Sequence, residues 1–148
     1  MRDCEDEMLQ FTVAPTPSAP RAARKWAGTV LEAWLQGTRD SVLLVLSELT
    51  TNAVREAASI HADTTLRVEI GFDAGCVIVS VTDPSSHLPP EIRHASDEQE
   101  HGRGLEIVSL VCRHMGSEPC SAGGKRVWGA IPVDGEETAA VLCPARLA

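Results

Sequence analysis

The chain has 148 residues, 43% of them hydrophobic and 23% charged, which suits one domain around one core and excludes disorder along the whole length. The formal net charge of −8 excludes a bulk binder of nucleic-acid phosphate, because such binding rests on Lys and Arg. A small anion held by backbone N–H groups stays compatible with that charge.

The first ten residues, with Asp3, Glu5, Asp6 and Glu7, read as a flexible acidic tail, whereas a signal peptide would start basic and then turn apolar. No stretch approaches the length of a membrane span, and the expected location is the cytoplasm. The five cysteines Cys4, Cys76, Cys112, Cys120 and Cys143 form no C-x-x-C pair and read as reduced thiols. The five histidines show no ligand spacing.

Leu9 to Val13 reads as a short strand before a Pro-rich break from Ala14 to Pro20. A helix is expected from Ser18 to about Gln36, with Ala22, Trp26, Val30, Ala33 and Trp34 at helical spacing and Gly37 ending it. A second helix is expected from Asp40 or Ser41 to about Ser59. Its stripe of Val42, Val45, Leu46, Leu49 and Ala53 is the strongest helical pattern in the chain. Leu66, Val68, Ile70 and Phe72 alternate with polar residues as in a half-buried strand, and Cys76–Thr82 is a more apolar one. The turn Asp73-Ala74-Gly75 joins them as a hairpin.

From Pro84 to about Gly102 the chain is polar, and so long a loop in a compact domain reads as a lid. A third helix follows from Leu105 to about Met115, opened by Gly102-Arg103-Gly104. A short strand near Glu118–Ser121, a turn at Ala122-Gly123-Gly124 and a last strand from Lys125 to Ile131 complete the pattern. The tail from Asp134 has no clear periodicity. The sum is an α+β fold, a two-layer sandwich whose mixed, mainly antiparallel sheet is covered on one face by three helices.

Several residues in this order can carry chemistry. Glu48 and Asn52 lie four apart on the second helix, about 40° from one another around its axis, on one flank of the apolar stripe. An amide oxygen there suits Mg²⁺, and a carboxylate can accept a proton or hold a metal-bound water; a solvated stripe edge accounts for the pair equally well. Asp83 ends an apolar strand before Pro84 and fits either a turn or an acceptor for an adenine amino group. Gly102 and Gly104 at a helix start fit backbone N–H contacts to phosphate, with Arg103 adding charge, or a simple hinge. Lys125, in a hairpin turn, reads as solvated, and the tryptophans Trp26, Trp34 and Trp128 as packing residues.

The order of these pieces resembles that of a known superfamily. Ser47-Glu48-Leu49-Thr50-Thr51-Asn52-Ala53-Val54-Arg55 resembles the N box of the GHKL proteins, which include gyrase B, the heat-shock chaperone ATPase and histidine kinases. Val81-Thr82-Asp83-Pro84-Ser85 resembles the first glycine box, His101-Gly102-Arg103-Gly104-Leu105 the second, and Gly123-Gly124-Lys125-Arg126-Val127-Trp128 the final strand motif. The nearest likeness is to the bacterial anti-sigma-factor serine/threonine kinases, from Phe11 to Pro132. It implies a Bergerat fold over residues 11–133 with a lid at about 84–103, and ATP and Mg²⁺ as cofactors. In the roles it implies, Asn52 holds Mg²⁺, Glu48 is the general base or orients it, Asp83 reads the adenine amino group, Gly102 and Gly104 are lid-hinge glycines beside the phosphates with Arg103 in reach of them, and Arg55 lies close to the nucleotide. It also implies a sigma factor, an antagonist protein and a second copy of the chain as partners, with no direct contact to nucleic acid or membrane.

Three positions depart from the family pattern. Ser85 stands where a glycine is usual, Glu56 where relatives commonly carry His, and Arg126 where a Thr usually helps hold the adenine-side water. These departures lead to the expectations that Glu56 weakens triphosphate binding through its charge and that Arg126 alters the adenine pocket. They also motivate an alternative reading, a non-catalytic module that grips a partner according to its nucleotide. A detached histidine-kinase domain ranks below both, since the first helix has no phosphoacceptor His.

Overall fold

The computed structural model describes residues 8–32, 36–57, 64–73, 75–83, 102–120 and 123–133. In chain order these form β1 (Leu9–Val13), α1 (Ala19–Val30), α2 (Gln36–Ala57), β2 (Leu66–Asp73), β3 (Cys76–Asp83), α3 (Gly102–Val111), β4 (His114–Pro119) and β5 (Lys125–Pro132). The acidic tail, the lid up to residue 101, Trp34, Ser85 and the C-terminal tail lie outside the described residues. Among those described, no helix is long and apolar enough to cross a membrane.

The strands form one sheet in the order β1-β2-β3-β5-β4. Every pairing is antiparallel, so the expected mixed sheet is in fact uniform in direction. β2 and β3 form the expected hairpin, with Asp73 opposite Cys76 and Gly75 at φ 77°, a backbone conformation glycine adopts without steric cost. The β4–β5 hairpin turns through Gly123 and Gly124, at φ 97° and 84°.

One face of the sheet carries the core. Val68, Ile70, Val77, Val79, Val81, Val127 and Ile131 meet Val42, Val45, Leu46, Leu49, Ala53 and Ala57 of α2 and Val108 of α3. The stripe read from the sequence of α2 is this buried face. Thr50, which interrupts the pattern, is also fully buried, and its hydroxyl donates to the Leu46 carbonyl at 2.7 Å, which satisfies it inside the helix. α2 therefore lies centrally, packed against α1, α3, β3 and β5.

α1 differs from its expected form. It ends at Val30, and Gly37 lies in the first turn of α2. Its buried row is Ala19, Ala23 and Ala27, one residue away from the row of larger side chains. Methyl-sized residues let α1 approach α2 closely, while Trp26 sits at the margin and stacks on Phe11, ring centroids 5.4 Å apart. The third helix, expected to reach Met115, stops at Val111. The Arg113 N–H donates to the Ala130 carbonyl at 2.7 Å and draws the chain into β4. Gly116 packs under the Trp128 ring there, and a Cβ at that position would lie 3.0 Å from it, so a larger residue would make the indole shift by a few tenths of an ångström.

Cys76, Cys112 and Cys120 are thiols without disulfides, as expected. Burial, and secondarily the neighbouring Cys76, raises the Cys112 thiol from 9.0 to about 11. The thiolate is the reactive form, so at pH 8 Cys112 is expected to alkylate about a hundredfold more slowly in the folded than in the denatured protein. Peptide mapping after timed iodoacetamide treatment measures this, and equal rates in the two states would contradict the burial. Because the folded value is the higher one, the stabilisation linked to this thiol is complete below pH 9 and is lost as pH rises through about 11.

Candidate functional site

The site is built at one end of the sheet, where β3 finishes and β5 begins, beneath α2. Glu48 and Asn52 are both half-buried on α2, beside core residues Leu49 and Ala53. Continuing their row by four residues reaches Glu56, about 12 Å along the axis from Glu48. At about 80° around the helix from Glu48, Glu56 lies nearer the core stripe than Asn52 does, and it is 7% exposed. Arg55 falls on the outer side of the same flank. It is exposed, and as a basic residue in the last turn it complements the helix dipole.

Asp83 is the last residue of β3 and is 2% exposed, which a turn-forming aspartate would not require. Strand alternation fixes its direction: Val81, two residues earlier, belongs to the core, so Asp83 also faces α2. Its Oδ2 is buried and accepts no hydrogen bond among the described residues. A buried acceptor oxygen of this kind is complementary to an N–H donor from a ligand.

Gly102, Arg103 and Gly104 form the first turn of α3. The first backbone N–H groups of a helix have no intrahelical acceptors, and together with the dipole they favour an anion. No acidic residue lies in that turn. The backbone thus bears out the placement of the glycines at a helix start, and the Arg103 side chain lies outside the described residues.

Two residues that the sequence reading misjudged complete the site. Lys125 was expected to be solvated, yet it is 5% exposed and its Nζ lies 3.8 Å from Glu56 Oε1. It is the register partner of Asp83. The signal for this was the alternation of β5: Val127 and Ile131 are core residues, so Lys125 shares their face, and its place beside a turn obscured that. Glu56, expected to weaken triphosphate binding through its charge, is buried and forms an ion pair with Lys125. Arg126, expected in the adenine pocket, lies on the opposite face of the sheet, where Nη1 meets Glu118 Oε1 at 2.9 Å. Its alternation phase is opposite to that of Val127. A hollow of about 450 Å³ on that far face, lined in part by Ile78, Arg126 and Trp128, includes none of the site residues.

The donor set fits a magnesium nucleotide. Among the described residues no group of three or more His, Cys, Asp or Glu could hold a metal ion alone, whereas a nucleotide-borne Mg²⁺ takes only one or two protein oxygens and keeps several waters; Asn52 can supply such an oxygen, with Glu48 one turn away to accept a proton or hold a metal-bound water. The chain matches a family model described as histidine kinase-, DNA gyrase B- and HSP90-like ATPase over residues 37–135. No curated protein matches it. That match spans more than half of the chain and takes in α2, β3, α3 and β5, which carry every residue of the site, so the chain belongs to the ATP-binding family of histidine kinase-, DNA gyrase B- and HSP90-like ATPases.

Proposed function

We propose that the protein is an ATP-dependent serine/threonine kinase of the anti-sigma-factor type, transferring the γ-phosphate of ATP to a serine of a small antagonist protein and sequestering a sigma factor. The observation that carries this reading is the half-buried carboxylate of Glu48 one turn before Asn52. On this reading the carboxylate serves as a proton acceptor one turn from the residue suited to the metal and stays open to an incoming hydroxyl. The order of the four sequence motifs supports the ATP-binding superfamily as a whole, and the narrower anti-sigma reading rests on the sequence likeness from Phe11 to Pro132.

The residues divide the work. Asp83 accepts from the adenine amino group, Asn52 offers an oxygen to Mg²⁺, and the first turn of α3 offers N–H donors to the phosphates. When bound, Mg²⁺ neutralises phosphate charge. Glu48 takes the serine proton as the serine oxygen bonds to the γ-phosphorus, and the bond to the β,γ-bridging oxygen breaks to release ADP. Such transfer depends mainly on positioning and charge stabilisation.

Calorimetric titration with ATP in the presence of Mg²⁺ tests the nucleotide part. The wild-type protein is expected to bind ATP well and GTP poorly, with Asn52→Ala and Asp83→Asn each weakening ATP by about tenfold or more, as for loss of a contact to a charged group. Arg126→Ala, on the far face, is expected to leave affinity within about twofold, consistent with an exposed ion pair of little energetic weight. Equal binding of ATP by wild type and Asn52→Ala would remove Asn52 from the site.

A non-catalytic, nucleotide-gated module is the second reading. The two departures that motivated it carry less weight with Glu56 paired to Lys125 and Arg126 on the other face. Phosphoserine on the antagonist after incubation with Mg-ATP separates the two readings.

A further inference from the structure

Lys125 and Glu56 have no assigned part in the chemistry above. Burying an ion pair costs several kcal/mol per ion in desolvation, which mutual attraction repays only in part, so stability alone gives little reason for a pair with side chains 6% and 6% exposed. Its location is more informative. Asp83 and Lys125 are directly opposed across β3 and β5, so their Cβ atoms are about 4.5–5.5 Å apart on one face. Glu56 approaches the same point from α2, one turn beyond Asn52. An ammonium paired with Glu56, on the cross-strand neighbour of Asp83, therefore lies at the end of the sheet where Asp83 is buried.

We propose that Lys125 is a specificity-determining residue of the base pocket, donating to the ring nitrogen next to the exocyclic amino group that Asp83 reads. This rests on the reading of the site as one for an adenine nucleotide. A carboxylate only accepts and an ammonium only donates. Side by side they complement a base edge that presents a donor next to an acceptor, which in adenine are the 6-amino group and N1. Glu56 is the positioning residue. It holds the ammonium against α2, so that the base-reading charge is tied to the helix carrying Asn52 and Glu48.

The test compares ATP with 1-deaza-ATP, in which N1 is replaced by C–H, and with 7-deaza-ATP, which keeps the edge intact. Wild-type protein is expected to bind ATP and 7-deaza-ATP alike and 1-deaza-ATP about tenfold more weakly, the effect of one hydrogen bond to a charged group. Lys125→Met alone strands two buried carboxylates, so the variant to use is Glu56→Gln with Lys125→Met, which removes both charges of the pair at similar volume. In that variant the ratio of ATP to 1-deaza-ATP affinity is expected to fall to about one. A merely structural ion pair would lower both affinities and leave the ratio unchanged, and that result, or a wild-type ratio near one, overturns the proposal. Failure of folded wild-type protein to bind ATP at all would overturn the adenine reading itself, a different outcome from binding without discrimination.

Discussion

Replacing Glu48 with Ala is expected to lower phosphoryl transfer by roughly 10²–10⁴-fold, the usual contribution of a positioned general base, while ATP binding changes little. The two effects separate because the residue acts on the acceptor hydroxyl and Asn52 on the metal. Glu48 is half-buried at the edge of the α2 stripe, so truncation opens no cavity in the core formed by Leu46 and Leu49. The fold should therefore survive, which a thermal melt would verify. γ-Labelled ATP, with the small soluble proteins of the native host as acceptors, supplies the rate through phosphoserine formation. Undiminished transfer by the variant would take the base role from Glu48. A parallel loss of ATP affinity would instead mean that the carboxylate acts by holding the metal-bound water.

The legible parts of this molecule were those with strong periodicity. The α2 stripe, the β2–β3 hairpin and the placement of Glu48, Asn52 and Asp83 follow from apolar spacing and from the order of short motifs. What escaped sequence reading has physical causes. In α1 two apolar rows one residue apart compete, and size suggests that Trp26 and Val30 face inward. Close packing against α2 instead selects Ala19, Ala23 and Ala27. The segment from His114 to Pro119 has little β character of its own and becomes a strand because β5 offers it a hydrogen-bonding edge. Lys125 and Arg126 were exchanged in role because a single residue of phase decides which face of a strand a side chain joins. That phase is visible only by counting back from Val127 and Ile131. The burial of Glu56 was in principle legible, since it continues the α2 stripe from Leu49 and Ala53 at i+7 and i+3, but a charged residue at such a position is ordinarily read as the stripe's end.

The same buried pair gives the largest stability effect expected of any one surface-type residue in the chain. Lys125→Met should cost about 3–5 kcal/mol, the range for removing one partner of a buried pair and leaving the other uncompensated. That matches truncation of a buried leucine such as Leu46 or Leu49, about 2–5 kcal/mol, and is a large fraction of the 5–15 kcal/mol that holds a typical domain folded. In a melt it corresponds to a fall in Tm of roughly 10 °C. The mechanism differs from that of a core truncation, however, and the difference is measurable. A methionine fills nearly the same volume, so the loss comes from Glu56 and Asp83, 7% and 2% exposed, sharing a site with no cation between them. Adding Glu56→Gln to the variant removes one of those charges and should recover most of the stability, giving a strongly non-additive double-mutant cycle. Additive costs, or a single-variant loss below about 1 kcal/mol, the range of an exposed ion pair, would mean that water reaches Lys125 in solution and that the charge at the base of the site is screened.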